Sequence, residues 1–508
     1  MKRLSALGNT KSLAGYILVA LIALNLLLHL PFLLLNTFGE SDAARVALVS
    51  LQLAYHQEGP QQVYQDAIYS APFYIALVRQ GLQVGLIRPA NIIVWMTITS
   101  YVASAVVTAM VFVFIFNLTG SIMAASGAGV LLQLNPTFWF NSLYGFPTIL
   151  AIAFLFLALI FFQTGLSKTP ASLKAIMIGS AFILFLLAIL MKIDVFLAGV
   201  IFCLPVWRSA TKYKLRLIWL AALMGLALGS FWLYSQYTRG LLSNQLASAF
   251  YGDWNVKFPI DVGYFFSRDN LEIIFRSAGI FSLPLAAIAS PFLAKDQTLR
   301  PVLTWISAAA LVLVVFWGVR EGNSARHNLL PDIFLVMLLA LPLSTKLHIR
   351  WGVLLVLMCI GNYFVLPPQV GMVAPTGRLA TNSILLQEAR LNLHNRGRTI
   401  ANLTEDKVAV IGEGPLQPYY LFEIFRDEDY TYINTQPDPE SRIPETLFLH
   451  QGQPSSFLWS YDYLPTTEIV RLIERGYFAL ISDPGTATEL EKTIRGGKTH
   501  WLSIENLR

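Results

Sequence analysis

The chain has 508 residues, of which 55% are hydrophobic and only 13% charged. Soluble domains carry about 25% charged residues, and a chain with half that share would expose apolar surface on a scale that monomers avoid. A water-soluble enzyme is excluded for most of the length, and so is disorder.

The net charge of +6 conceals a division. Residues 371–508 carry 13 Lys and Arg against 18 Asp and Glu, a net −5, whereas residues 1–370 carry 23 against 12, a net +11. Two regions in two solvents follow: a transmembrane domain over 1–370 and a soluble domain over 371–508. Cys203 and Cys359 sit in apolar runs and suit neither a disulfide framework nor a zinc ribbon.

Lys2, Arg3 and Lys11 precede an apolar run over 12–35. The run is too long for a cleaved signal and long enough to span, so it reads as an uncleaved first span. A loop over 36–89 follows, too long for a plain connector. It reads as two amphipathic stretches, 41–56 and 74–87, of the kind that lie in the interface plane. The first opens Ser41-Asp42-Ala-Ala-Arg45, a helix start with an acid near its N-terminus. Glu40 and Asp42 stand at the mouth of the first span. A carboxylate at that depth reaches both a lipid headgroup and a soluble hydroxyl, as a general base for glycosyl or acyl transfer must. A plain helix cap explains the same spacing, and both roles stay open at this point.

Ten more apolar runs follow, at 90–117, 119–137, 146–165, 175–190, 194–207, 216–237, 273–294, 301–319, 328–345 and 351–366, giving about 11 spans within a range of 10–13. Lys192 and Asp194 interrupt the stretch 175–207. If this stretch is two short helices and the N-terminus is cytoplasmic, the cytoplasmic loops hold ten Lys and Arg against one acid, Asp296. A single long helix would translocate most of them, so loop charge favours the break. The loop 36–89, the Lys192/Asp194 turn, the loop 238–272, the loop 318–327 and the tail then share the extracytoplasmic face. Ionisable groups at the ends of apolar helices are costly and default to a functional reading, against the plainer one of a snorkelling Lys beside its partner. In Arg320-Glu321-Gly-Asn-Ser-Ala-Arg326-His327, two Arg oppose the positive-inside trend directly before a span. Arg suits bidentate phosphate binding, and a lipid phosphate at headgroup depth is the obvious ligand.

In the tail, 378–397 is a plausible amphipathic helix. Val408–Ile411 and Phe478–Ser482 read as buried strands, and Pro415–Phe425, Pro444–His450, Thr467–Arg475 and Thr486–Arg495 read as helices. The alternation predicts a small α/β domain. No P-loop, dinucleotide fingerprint, HExxH or Cys/His cluster occurs.

Several segments taken in order carry a resemblance. They are the first span running into Phe38-Gly-Glu-Ser-Asp-Ala-Ala-Arg45, then Tyr69-Ser-Ala-Pro-Phe-Tyr74, Asn135-Pro136, the Lys192/Asp194 break, and Arg326-His327-Asn-Leu-Leu-Pro331. Over about residues 10–345 the chain resembles the GT-C fold glycosyltransferases, in particular the group of protein mannosyltransferases and lipid A aminoarabinose transferases. The resemblance implies a polytopic α-helical membrane protein of GT-C type, to which the tail adds a C-terminal extracytoplasmic α/β domain. It implies transfer of a sugar from a polyprenyl-phosphate carrier to an acceptor hydroxyl outside the cytoplasm, with inversion. It maps the base to Asp42 with Glu40 as neighbour, and the lipid-phosphate ligands to Lys192, Arg320, Arg326 and His327. Arg45, Tyr69, Tyr74, Asp194 and Glu321 fall around the substrate cavity. The chain departs from the group in having Ala43 after Asp42, and no acid in Ser142-Leu-Tyr-Gly-Phe146. No cofactor is specified, and a divalent metal stays open. The expected partners are the polyprenyl-phosphate-linked sugar, a lipid, glycan or protein acceptor, and membrane lipids, with no nucleic acid. Alternative readings are a transporter or lipid flippase, for which a broken helix is typical but no internal repeat is found, a surface polysaccharide ligase or polymerase, and a scaffold whose tail binds a partner. Convergence of Asp42, Lys192 and Arg326 on one cavity is the structural expectation of the favoured reading.

Overall fold

The computed structural model describes residues 2–34, 41–55, 71–143, 145, 147–166, 170–209, 225, 229, 261–319, 325–365, 395–400, 402, 407–412, 422, 424, 430–437, 443–450, 453–460, 464–481, 484–493 and 501–503. Most of the predicted span over 216–237, of the predicted helix over Pro415–Phe425, of 378–397 and of the loop 238–272 lies outside these. The chain divides into two compact units. One comprises Met1–Asn36, Thr97–Gly240 and Asn244–Gln387, the other Thr37–Met96, Leu241–Ser243 and Glu388–Arg508.

The helices in chain order are α1 (Lys2–Leu34), α2 (Ser41–Tyr55), α3 (Pro72–Gln83), α4 (Ile92–Thr119), α5 (Ile122–Leu134), α6 (Pro136–Asn141), α7 (Thr148–Leu166) and α8 (Ala171–Met191). After a 3-10 segment over Ile193–Phe202 come α9 (Cys203–Ser209), α10 (Val262–Phe265), α11 (Arg268–Ala278), α12 (Ser282–Lys295), α13 (Arg300–Gly318), α14 (Leu329–Ala340) and α15 (His348–Val365). Among the described residues, five helices are long and apolar enough to cross a membrane: Ser12–Leu30, Pro89–Thr119, Thr148–Leu166, Ser172–Met191 and Arg300–Gly318. Four shorter apolar helices accompany them. The chain is an integral membrane protein by this measure.

Local chemistry explains the boundaries. Gly120, at φ +67°, takes the left-handed conformation that ends α4, and Ser121 then caps α5 by accepting from the Ala124 amide at 3.2 Å. The run 273–294, expected as one span, is two helices. Gly279, at φ +87°, separates α11 from α12. A Cβ there would stand 2.6 Å from Asn362 Nδ2, whose Oδ1 accepts from the Phe281 amide at 3.2 Å. Between α12 and α13, Asp296 Oδ1 accepts from the Thr298 amide and hydroxyl at 2.9 and 2.7 Å, and these bonds hold its carboxyl below the usual range.

A buried polar seam joins α1, α4 and α5. Asn25 Nδ2 donates to Gln133 Oε1 at 2.9 Å, and Gln133 Nε2 donates to Thr108 Oγ1 at 2.7 Å. Ser104 Oγ donates to Asn25 Oδ1 at 2.9 Å. Apolar contacts between helices gain little in a lipid solvent, so such side-chain bonds and close packing select the helix pairing. The α1–α5 approach is close, since a Cβ on Gly129 would lie 2.8 Å from Leu21 Cδ1. Gln133→Leu leaves the Asn25 amide and the Thr108 hydroxyl without their partner. A loss of about 1–3 kcal/mol is expected, read as a lower melting temperature of the detergent-purified protein; an unchanged melting temperature would contradict it.

In the second unit, α2 packs against α3. Ala43, Ala44 and the run 46–49 are all fully buried, and Arg45 is half-buried. This part of the predicted stretch 41–56 is therefore enclosed by protein rather than lying with one face on lipid: its small and aliphatic residues leave no polar side to turn to water. α3 buries Tyr74, Ile75 and Val78 and exposes Leu77 and Gln80, so one side of it faces the protein.

The C-terminal part of this unit holds a six-stranded sheet in the order β2-β3-β4-β1-β5-β6. Its strands are β1 (Val408–Ile411), β2 (Tyr430–Pro437), β3 (Pro444–His450), β4 (Gln453–Ser460), β5 (Phe478–Ile481) and β6 (Trp501–Ser503), joined by helices α16 (Thr466–Glu474) and α17 (Pro484–Thr493). β1 pairs in parallel with β4 and β5, β5 in parallel with β6, and β2-β3-β4 is an antiparallel meander. The helix expected over Pro444–His450 is therefore a strand. It pairs along both edges, with β2 on one side and β4 on the other. The core consists of Ala409, Ile411, Leu458, Ile469, Leu472, Ala479, Ile481 and Leu490 around Tyr477. The Tyr477 hydroxyl donates to Glu445. Burial first, and then the Glu445 carboxylate, push that hydroxyl up to about 12.

Candidate functional site

The break between α8 and the next segment is the centre of a polar cluster in the first unit. α8 ends at Met191, where Lys192 turns extended at φ −157°, ψ 116° and its amide closes the helix on the Ala188 carbonyl at 3.0 Å. The chain restarts at once as a 3-10 helix with Asp194 in its first turn, where a negative charge suits the exposed amides. Two residues apart across this break, Lys192 Nζ and Asp194 Oδ2 pair at 3.7 Å, with side chains 12% and 7% exposed.

A buried pair of this kind is stable only where further hydrogen bonds satisfy it. Trp317, at the end of α13, supplies one: its Nε1 donates to the same Asp194 Oδ2 at 3.2 Å. The Trp317 ring also lies 6.0 Å from Lys192 Nζ. The same ring stacks on His327, with centroids 3.9 Å apart and an interplanar angle of 11°. His327 sits in the 3-10 turn Ala325–Asn328 that leads into α14. Three separate stretches of sequence thus meet: the α8 break, the end of α13 and the entry to α14. Two donors share Oδ2, while Asp194 Oδ1 is buried without a hydrogen-bond partner among the described residues.

A second group of buried polar side chains adjoins it along α14. Asn328 and Asp332 are one helical turn apart and are 2% and 4% exposed. The Asp332 side chain faces Thr137 and Asn135. Thr137 Oγ1 also lies 3.1 Å from the Ser277 carbonyl, and Asn135 Oδ1 accepts from the Phe138 amide at 2.8 Å, which caps α6. The Asn135-Pro136 segment of the sequence is therefore a helix start held against α14. Asp332 Oδ2 and both amide atoms of Asn328 are buried without partners among the described residues.

Of the residues singled out from sequence, Lys192, Asp194 and His327 come together in this cluster. Arg45 lies on α2 and Tyr74 on α3, where its ring stacks on Trp95 at 6.4 Å. Glu40, Tyr69, Arg320 and Glu321 lie outside the described residues, as do the side chains of Asp42 and Arg326. The backbone places Asp42 in the first turn of α2 and Arg326 in the turn before α14. Trp317 and Asp332 were missed by sequence reasoning. Asp332 left a signal, a lone acid inside the apolar run 328–345, and Trp317 left none. No group of three or more His, Cys, Asp or Glu side chains that could hold a metal forms among the described residues.

A mostly apolar groove of about 350 Å³ runs between α4 and α7 of the same unit. It is lined among others by Ile98, Val102, Val106, Leu150, Phe154 and Leu157.

No family model matches the sequence, and no curated protein does. Solved structures do resemble the fold. ArnT from Cupriavidus metallidurans in the apo state matches with a TM-score of 0.52 at 12% identity, over 81% of this chain and 85% of that one. The same protein bound to undecaprenyl phosphate matches with a TM-score of 0.49 at 15% identity, over 81% of this chain and 75% of that one. The likeness to the apo structure gives the chain the GT-C fold of ArnT, a lipid A aminoarabinose transferase.

Proposed function

We propose that this membrane protein is a glycosyltransferase that moves a sugar from a polyprenyl-phosphate carrier to an acceptor hydroxyl on the extracytoplasmic face. The observation that carries the reading is a lysine, Lys192, partly exposed at a break between two apolar segments and paired with an acid that a tryptophan holds in place. A cation fixed at the end of a membrane helix fits a lipid phosphate, and it stands in a chain with the GT-C fold. The mostly apolar groove between α4 and α7 of the same unit offers an isoprenoid chain an apolar seat.

In the proposed reaction Lys192, with Arg320 and Arg326, holds the carrier phosphate. A phosphate stabilised by cations leaves the anomeric carbon without needing a proton. Asp42 takes the proton from the acceptor hydroxyl as its oxygen attacks the opposite face of the sugar, so the anomeric centre inverts. Glu40 is the neighbouring alternative base. The carbon–oxygen bond to the phosphate breaks as the bond to the acceptor oxygen forms, and the carrier phosphate is released. The 1–370 and 371–508 division, with the tail on the acceptor side, belongs to the same proposal.

Purified protein in vesicles, given a panel of polyprenyl-phosphate-linked sugars and a membrane lipid extract as acceptor source, tests it. Consumption of one donor, dependent on the acceptor fraction, is the expected result. Consumption of none, with folded protein and every acceptor class tried, counts against it.

A further inference from the structure

We propose that Trp317, with His327 stacked behind it, is a positioning residue for Lys192. It fixes the Asp194 carboxylate, and the carboxylate fixes the ammonium group that takes the carrier phosphate. This rests on the phosphate-binding role proposed above for Lys192.

A lysine ammonium is a point charge on a flexible four-carbon stem, and holding it in one place costs rotamer entropy. The pairing of Lys192 with Asp194 at 3.7 Å is longer than a charge-assisted hydrogen bond and leaves the ammonium able to turn toward a second anion. The carboxylate is therefore the part that must be rigid. Asp194 is hidden in the protein, and its Oδ2 is pinned by the Trp317 indole N–H at 3.2 Å. An indole could swing on its own side-chain bonds. The His327 ring, nearly parallel at 3.9 Å, occupies the space it would swing into.

The same geometry leaves charge for the ligand. Trp317 and Lys192 share one oxygen of Asp194, so the indole N–H draws on the negative charge that the ammonium faces. Trp317 is 5% exposed and has only an N–H to offer, which is already given to Asp194. Its effect on a phosphate ligand therefore passes through Asp194 and Lys192.

The test measures binding of polyprenyl phosphate and of the uncharged polyprenol of equal length to the full chain in nanodiscs. The variants are Trp317→Phe, Lys192→Met and the double variant. Trp317→Phe keeps an aromatic ring and removes the donor. It is expected to weaken polyprenyl phosphate about tenfold, the effect of one hydrogen bond to a charged group, and to leave polyprenol binding unchanged. Lys192→Met is expected to weaken the phosphate more strongly, and the double variant to match Lys192→Met alone. Equal weakening of both lipids by Trp317→Phe, no weakening of either, or additive effects in the double variant would each overturn the positioning role. Unchanged phosphate binding in Lys192→Met would instead overturn the role of Lys192 and the proposal with it. Folding is read from elution as a single species. If Trp317→Phe does not elute so, His327→Ala carries the same test, because it removes the stack but leaves the indole N–H; a phosphate-selective, Lys192-dependent loss is expected, and its absence overturns the proposal.

Discussion

Asp42→Asn is expected to cut sugar transfer by about 10²- to 10⁴-fold, the range that a positioned general base contributes. The substitution keeps size and shape and removes the basic oxygen. Asp42 stands in the first turn of α2, where a neutral Asn still suits the helix start. Little change in stability is therefore expected, since a capping role passes to Asn while a base role does not. Donor binding should also persist, because the carrier phosphate is assigned to cations elsewhere. Transfer rates, donor affinity and melting temperature measured on one preparation separate the two roles. Full transfer activity in Asp42→Asn removes the base assignment, and lost stability with normal transfer assigns Asp42 to the helix cap.

Lys192→Met should act on the opposite end of the reaction. The ammonium is replaced by an apolar chain of similar length, so a phosphate loses its charge-assisted contact. About a hundredfold rise in the KM for donor is expected, corresponding to the upper range of one such bond. The variant also leaves Asp194 buried opposite no cation. Breaking one partner out of a buried pair costs about 3–5 kcal/mol, so a fall in melting temperature accompanies the kinetic effect. The double substitution Lys192→Met with Asp194→Leu separates these consequences: stability should return and donor affinity should not. Recovery of both would mean that Lys192 serves the fold alone.

The parts of the site written in single residues were legible. A Lys and an Asp interrupting an apolar run marked the break after Met191, because charge inside a membrane segment has few innocent explanations. Asn135-Pro136 fell inside the run read as one span over 119–137, yet the helix ends at Leu134 and a new one starts at Pro136, because the residue before a proline disfavours the helical conformation. The partners of these residues were not legible. Trp317 lies 123 positions beyond Asp194, and no spacing rule couples a tryptophan near a span end to a distant carboxylate. Asp332 was visible as an acid in an apolar run, but its approach to Asn135 and Thr137 is a tertiary contact.

The same limit governed the secondary structure. Composition placed α2 at an interface, yet burial of Ala43, Ala44 and the run 46–49 comes from packing that composition does not encode. Pro444–His450 is short and apolar enough for either state. It is a strand because β2 and β4 offer it edges on both sides, a long-range choice that a seven-residue window does not contain.

The central claim is that this GT-C chain discharges a polyprenyl-phosphate sugar. Mass spectrometry of the lipids after incubation of the purified protein with a polyprenyl-phosphate-linked sugar and acceptor membranes tests it most directly. The account predicts free polyprenyl monophosphate appearing in step with glycosylated acceptor, and neither product with Asp42→Asn. Release of polyprenol or of a diphosphate carrier, or transfer that persists in Asp42→Asn, would contradict it.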